Sequence, residues 1–374
     1  MRRSKGVIVS RMNSGNRIAW PDSARGIAII LVVLYHTVQW GDWLGLATAE
    51  WLYLSGLLQS MRMPLFFTVA GLFATRWIRE KPWQELIGSK IAMLLWVYMV
   101  WVALRYAFFL FVPRLGDPEP YYLSRLLAAP LLPSNHLWFI YALAVYFVTA
   151  KLLRRIDWRI QLGPAVVLSA FALTSWPYLA RWDGVLAYYA FFILGVNART
   201  WVLGIANRTR WSTACGVIVI WAVAYVLLER AGLTGVVGIN VALRAVGVAA
   251  GICLAVLAQR IVFVRFLGQR TLPIYLSHSM WIIAAATPVS LMIPPGSIWL
   301  QLWPVAMTAV AIVISLGLYQ LATRVGFTWL YASPAWLQRA ISVGARRISN
   351  IRSQGQVPAP EHSEVGASPT EGTK

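Results

Sequence analysis

Asp22, Arg25 and His36 stand in the run WPDSARGIAIILVVLYHTVQW, from Trp20 to Trp40, which is long and apolar enough to cross a bilayer. On a helix, the path from Arg25 to His36 turns through about 1100°, three turns plus about 20°, and rises about 16 Å. Asp22 is the i, i+3 neighbour of Arg25. One stripe therefore carries an acid, a guanidinium and an imidazole. Ionisable groups at membrane depth are costly and face a protein interior or a cavity, so each is a functional candidate. Imidazole is the side chain best suited to take a proton near neutral pH, which makes His36 a candidate general base. Its plain alternative is a hydrogen bond between helices. Arg25 has the planar fork that fits a phosphate or carboxylate, or it can snorkel to lipid headgroups. Asp22 can cap the helix start or hold Arg25.

Further candidates lie along the chain. Arg62 sits inside a second apolar run, in Met61-Arg62-Met63-Pro64-Leu65-Phe66-Phe67, beside a proline that leaves a helix carbonyl without its donor. His136 opens another run, Asn135-His136-Leu137-Trp138-Phe139, and Trp138 offers a flat apolar face suited to lining a substrate pocket. His278 lies about two turns into a later run. His362 falls in a polar tail. No His, Cys and Asp grouping has metal-ligand spacing, and no glycine-rich phosphate loop stands out. No metal or bound cofactor is expected.

These residues must be positioned by membrane helices. The chain has 374 residues, 59% hydrophobic and 12% charged, about half the charged share of a soluble domain. Ten spans can be drawn, near 24–43, 52–75, 91–112, 137–150, 164–178, 186–203, 212–228, 236–258, 271–291 and 303–323. The expected fold is an all-α polytopic integral membrane helix bundle of about ten transmembrane helices. The 33 Lys and Arg test this count. Arg25, Arg62, Arg105 and Arg244 fall within spans, and only Arg114, Arg125, Arg181 and Arg230 fall in one set of loops. The rest lie in the other set, which by the positive-inside rule is cytoplasmic, with both termini. The net charge of +20 is thereby absorbed by loops, leaving no basic domain for nucleic acid. The first run, longer than a signal-peptide core and carrying Arg25 and His36, reads as an uncleaved helix. Residues 1–19 form a basic cytoplasmic segment and 20–325 a membrane domain. Residues 326–348 fit an amphipathic interfacial helix, and 349–374 a disordered cytoplasmic tail. Cys215 and Cys253 both fall in apolar runs and read as small packing groups.

Taken in order, several stretches resemble the acyltransferase 3 family of bacterial membrane proteins. Arg25 and His36 fit that family's Arg-x10-His pattern. Met63-Pro64-Leu65-Phe66-Phe67 followed by Gly71 resembles its MPLFF-x3-G run. His136-Leu137-Trp138-Phe139, Phe191-Phe192-Ile193-Leu194-Gly195, and Leu267-Gly268 through Tyr275-Leu276 and His278 match further stretches. Together they cover about 18–325 and are closest in pattern to the glucan succinyltransferase and fucose 4-O-acetylase-like branch. In one place the chain departs. Many relatives carry an Arg-x-Arg pair near the third helix, where this chain has Ser89-Lys90-Ile91.

The resemblance implies a membrane-bound O-acyltransferase of the bacterial inner membrane. Acyl-CoA would be co-substrate from the cytoplasm, and the acceptor a hydroxyl of an extracytoplasmic carbohydrate or glycolipid. His36, Asp22 and Arg25 would be the catalytic group. Arg62, His136, Trp138 and His278 would bind substrate. Arg25, Arg76 and Lys90 would meet the anionic acyl-CoA. The alternative from the residues alone is a ten-helix transporter or flippase for an anionic solute or lipid.

Overall fold

The computed structural model describes residues 18–112, 123–133, 136–174, 182–294 and 296–341. The basic segment up to Arg17, Arg114, Arg181, His362 and the polar tail lie outside the described residues. All regular elements among the described residues are helical. They are α1 (Trp20–Trp43), α2 (Ala49–Arg79), α3 (Trp83–Phe111), the short α4 (Leu123–Ala128), α5 (Trp138–Leu152), α6 (Trp158–Ala172), α7 (Asp183–Asn197), α8 (Arg199–Arg208), α9 (Trp211–Arg230), α10 (Ile239–Leu257), α11 (Val262–Gly268), α12 (Thr271–Met292) and α13 (Trp299–Val325). The chain is a polytopic membrane protein. Seven of these helices are long and apolar enough to cross a bilayer, and an eighth if the bent pair α7 and α8 is one span. α5 and α6 have 15 residues each. Every one of the ten sequence-drawn spans contains a helix.

Two boundaries differ from the sequence expectation. The fifth span runs from Trp158 to Ala172, earlier than 164–178. Asp157 starts it, its carboxylate accepting from the Arg159 amide at 2.8 Å and so capping the helix ahead of Pro164. The sixth span is not straight. α7 and α8 meet at 77° around Ala198.

Close backbone crossings hold the bundle together. Gly71 of α2 and Gly195 of α7 face each other so tightly that a Cβ on either would enter the opposing backbone, at the carbonyl of Phe192 or Thr68. Gly26 of α1 meets the Val264 carbonyl of α11, and Gly268 meets the Asp22 carbonyl in return. Such small-residue contacts let helices approach where lipid supplies no hydrophobic drive. Pro64 shows the same logic inside α2. Lacking an N–H, it leaves the Ser60 carbonyl without its helical donor. α10 crosses α2 tightly at that oxygen, and the residue there is Gly247.

α3 begins with a wider π-helical turn, Leu86–Ile91, which carries Lys90. Beyond α13 the chain turns at Gly326, whose φ of +92° suits glycine alone. It then crosses α3, where Trp96 and Trp101 donate to the carbonyls of Trp329 and Leu330 at 2.8 and 2.7 Å. Residues 335–341 are helical, and Trp336 meets Trp96 edge to face.

Candidate active site

α1, α12 and the start of α5 converge on three imidazoles. The His36 ring lies 5.2 Å from that of His278 and 5.7 Å from that of His136, centroid to centroid. Trp40, one turn beyond His36, stacks on His136 at 6.2 Å. His278 is fully buried. Its Nδ1 lies 2.9 Å from the Ile274 carbonyl, which can only accept, so Nδ1 carries the proton and Nε2 is a bare acceptor. No protein group among the described residues donates to that Nε2. His36 Nδ1 lies 3.3 Å from the Gln39 side-chain oxygen. With the amide in this orientation, His36 also presents a free Nε2. The three rings do not form a metal cage. Among the described residues no group of three His, Cys, Asp or Glu could hold an ion.

A cavity of about 320 Å³ opens beside this cluster. Its wall includes Tyr35, His36, Arg62, Trp138, Tyr188 and Arg244. Aromatic packing fixes the wall. Trp138 stacks on Tyr188 at 5.8 Å, and Phe67 of α2 sits between Trp138, Phe139 and Tyr188. Gly184 leaves the room that the Trp138 ring occupies. The Tyr275 hydroxyl accepts from the Phe139 amide at 3.2 Å, so α12 closes the start of α5. Arg62 lays its guanidinium on the Tyr35 ring at 3.9 Å. Deeper in the bundle, Arg105 of α3 is fully buried and donates to Ser279 Oγ at 2.6 Å, one residue from His278.

A second group forms at the end of the bundle where α1 begins. Arg25 stacks on Phe73 at 3.9 Å, and Lys90 lies over Trp77 at 5.0 Å. Asp22 is buried, and its carboxylate accepts from Gln269 Nε2 at 3.1 Å, beside the Gly268 crossing.

The expected site residues therefore divide. His36, Arg62, His136, Trp138 and His278 come together around one cavity and its edge. Arg25 and Lys90 form a cationic pair of neighbours about three turns away along α1. Asp22 belongs to that end and does not reach His36. Arg76 is exposed and faces Glu80 at 3.6 Å. Sequence reasoning passed over Tyr35, Gln39, Asp183, Tyr188 and Arg244. For Arg244 and Arg105 the signal was present, since both are arginines inside apolar spans.

A family model described as an acyltransferase domain matches residues 18–320. The chain belongs to this acyltransferase family. Every candidate residue discussed above falls within the matched range. The inner membrane protein YcfT of Escherichia coli (strain K12) is similar at 27% identity over 158 residues, covering 37% of this chain and 44% of that protein. The nodulation protein NolL of Mesorhizobium japonicum is similar at 26% identity over 209 residues, 53% of each chain. The chain thus spans about half the length of the curated relatives it matches. No solved structure matches it. This family member is a multi-pass membrane protein, and the family match, the helices and the inner-membrane relative agree in this.

Proposed function

We propose that this acyltransferase moves a short acyl group, acetyl or succinyl, from cytoplasmic acyl-CoA to a hydroxyl of an extracytoplasmic carbohydrate or glycolipid, in the bacterial inner membrane. The observation that carries the proposal is the meeting of His36 with His278 beside a cavity inside the bundle. An ester-forming transfer needs a base that can reach a hydroxyl away from bulk water, and a bare imidazole Nε2 is such a base.

In this reading acyl-CoA approaches from the end carrying Arg25 and Lys90. Their cations meet its phosphates, and the thioester arm runs along α1 towards His36. The acceptor enters from the opposite end, past His136 and over Trp138, whose ring faces suit a sugar face. His36 Nε2 takes the proton of the acceptor hydroxyl as its oxygen attacks the thioester carbonyl. The C–S bond breaks, the acyl group stays on the acceptor oxygen, and His36 passes the proton it took to the CoA thiolate, which leaves as the thiol. His278 Nε2 accepts from a second acceptor hydroxyl and so orients the first. Asp22, bound to Gln269, anchors the start of α1 and with it the register of Arg25 and His36.

The test uses inverted membrane vesicles supplied with radiolabelled acetyl-CoA or succinyl-CoA. The expected result is label in glycan or lipid from wild type and none from His36→Ala at equal protein. Transfer that persists unchanged in His36→Ala would falsify the assignment of the base. Gradient-dependent movement of an anion without any acyl transfer would favour the transporter reading.

A further inference from the structure

We propose that Arg62 and Arg244 form an anion subsite in the His36 cavity, taking a carboxylate or phosphate carried by one of the two substrates. The inference rests on reading that cavity as the substrate chamber.

Both arginines are buried, at 4% and 8% exposure, and both line the cavity with His36. They come from different helices, α2 and α10. Among the described residues Arg62 makes no hydrogen bond and no ion pair, and its one defined contact is the Tyr35 ring. Arg244 Nη1 donates to the Asn240 carbonyl at 3.1 Å, while its Nε is buried without an acceptor. Asp183 lines the same cavity and brings one carboxylate against the two guanidiniums. Two guanidiniums and one carboxylate thus face one small space, which keeps a net positive charge.

Elsewhere this fold satisfies its buried cations. Lys151 is buried and donates to the carbonyls of Ile78 and Lys81 at 2.9 and 2.5 Å. Arg105 has Ser279. A buried charge without a partner is costly, and removing its counterpart from a built pair is more so. Arg62 and Arg244 therefore fit a ligand that brings the missing negative charge. The guanidinium fork matches a carboxylate or phosphate. A neutral acetyl group passed to a neutral sugar would leave the excess positive charge of the cavity uncompensated. The anion comes either from the free end of a dicarboxylic acyl group or from an acid group on the acceptor.

The test is thermal unfolding of the full-length protein in detergent, titrated with succinate, glucuronate or glycerol 3-phosphate against sodium chloride at matched ionic strength. A saturable rise in Tm beyond chloride is expected with at least one of the three. Succinate acting alone places the anion on the acyl group, and glucuronate or glycerol 3-phosphate places it on the acceptor. Arg62→Gln and Arg244→Gln are expected to lose about tenfold or more in apparent affinity. Arg244→Lys, which keeps the charge, retains the shift. In chloride alone, Arg244→Gln is expected to unfold no lower than wild type, because it removes an uncompensated buried charge. The proposal is overturned if wild type responds to none of the three beyond chloride, or if both Gln variants respond as wild type does. None of these readouts needs acyl transfer. Wild type that transfers label but shows no anion shift loses the subsite and keeps the transferase assignment, and the converse result does the reverse.

Discussion

His36 and His278 place their rings 5.2 Å apart from α1 and α12, and each engages its Nδ1 with a residue of its own helix. Both Nε2 atoms are thereby left as acceptors, on a fully buried ring for His278 and a part-buried one for His36. Two bare imidazoles side by side divide the work of a transfer site between a base and an orienting group.

The two should therefore differ in kinetics. His36→Ala is expected to lower kcat by about 10²- to 10⁴-fold. His278→Gln should raise KM for the acceptor more than it lowers kcat, because the amide still accepts a hydrogen bond. Label transfer at varied acceptor concentration separates the two.

Arg25 and Lys90 stack on Phe73 and Trp77 far from His36, so their effect belongs to donor capture. Arg25→Gln and Lys90→Gln should each raise KM for acyl-CoA several-fold, about 1 kcal/mol, with kcat nearly unchanged. The difference from wild type should shrink as salt is added. Arg76→Gln should change little, since Arg76 is exposed and faces Glu80.

The Gly71–Gly195 crossing makes a stability prediction. Gly195→Val would push a branched side chain into the Thr68 carbonyl and separate α2 from α7. A loss of about 1–3 kcal/mol or more is expected, read as a lower Tm in detergent. Gly163→Ala in α6 is the control. Its Cβ would meet nothing within 4 Å, so Tm should hold or rise.

Lys151 of α5 satisfies carbonyls at the end of α2 that no helical amide can reach. Lys151→Met keeps the bulk and removes the donors. It should cost about 1–3 kcal/mol, and the purified protein should unfold at a lower temperature.

Much of this was legible in the chain. Composition and the Lys and Arg distribution identified a polytopic membrane protein, because the bilayer imposes its length and charge rules on each segment separately. The order of helices and the candidacy of His36, Arg62, His136, Trp138 and His278 followed from local pattern. Local spacing reached its limit at Asp22. The i, i+3 rule offers it Arg25, and the folded chain adds the Gln269 amide from beyond α11, which no local spacing announces. Arg244 shows the same limit, since nothing near it in sequence points to Arg62.

By itself the sequence determined that the chain is a polytopic helical membrane protein, and which polar groups lie inside its apolar stretches. These are properties of short stretches in a known solvent. Only the tertiary structure decided that His36 meets His278, that Arg62 and Arg244 share one cavity, and that α7 and α8 bend apart at Ala198. Those relations depend on which helices cross and how closely. In lipid that is settled by glycine contacts such as Gly71 with Gly195, between residues remote in sequence.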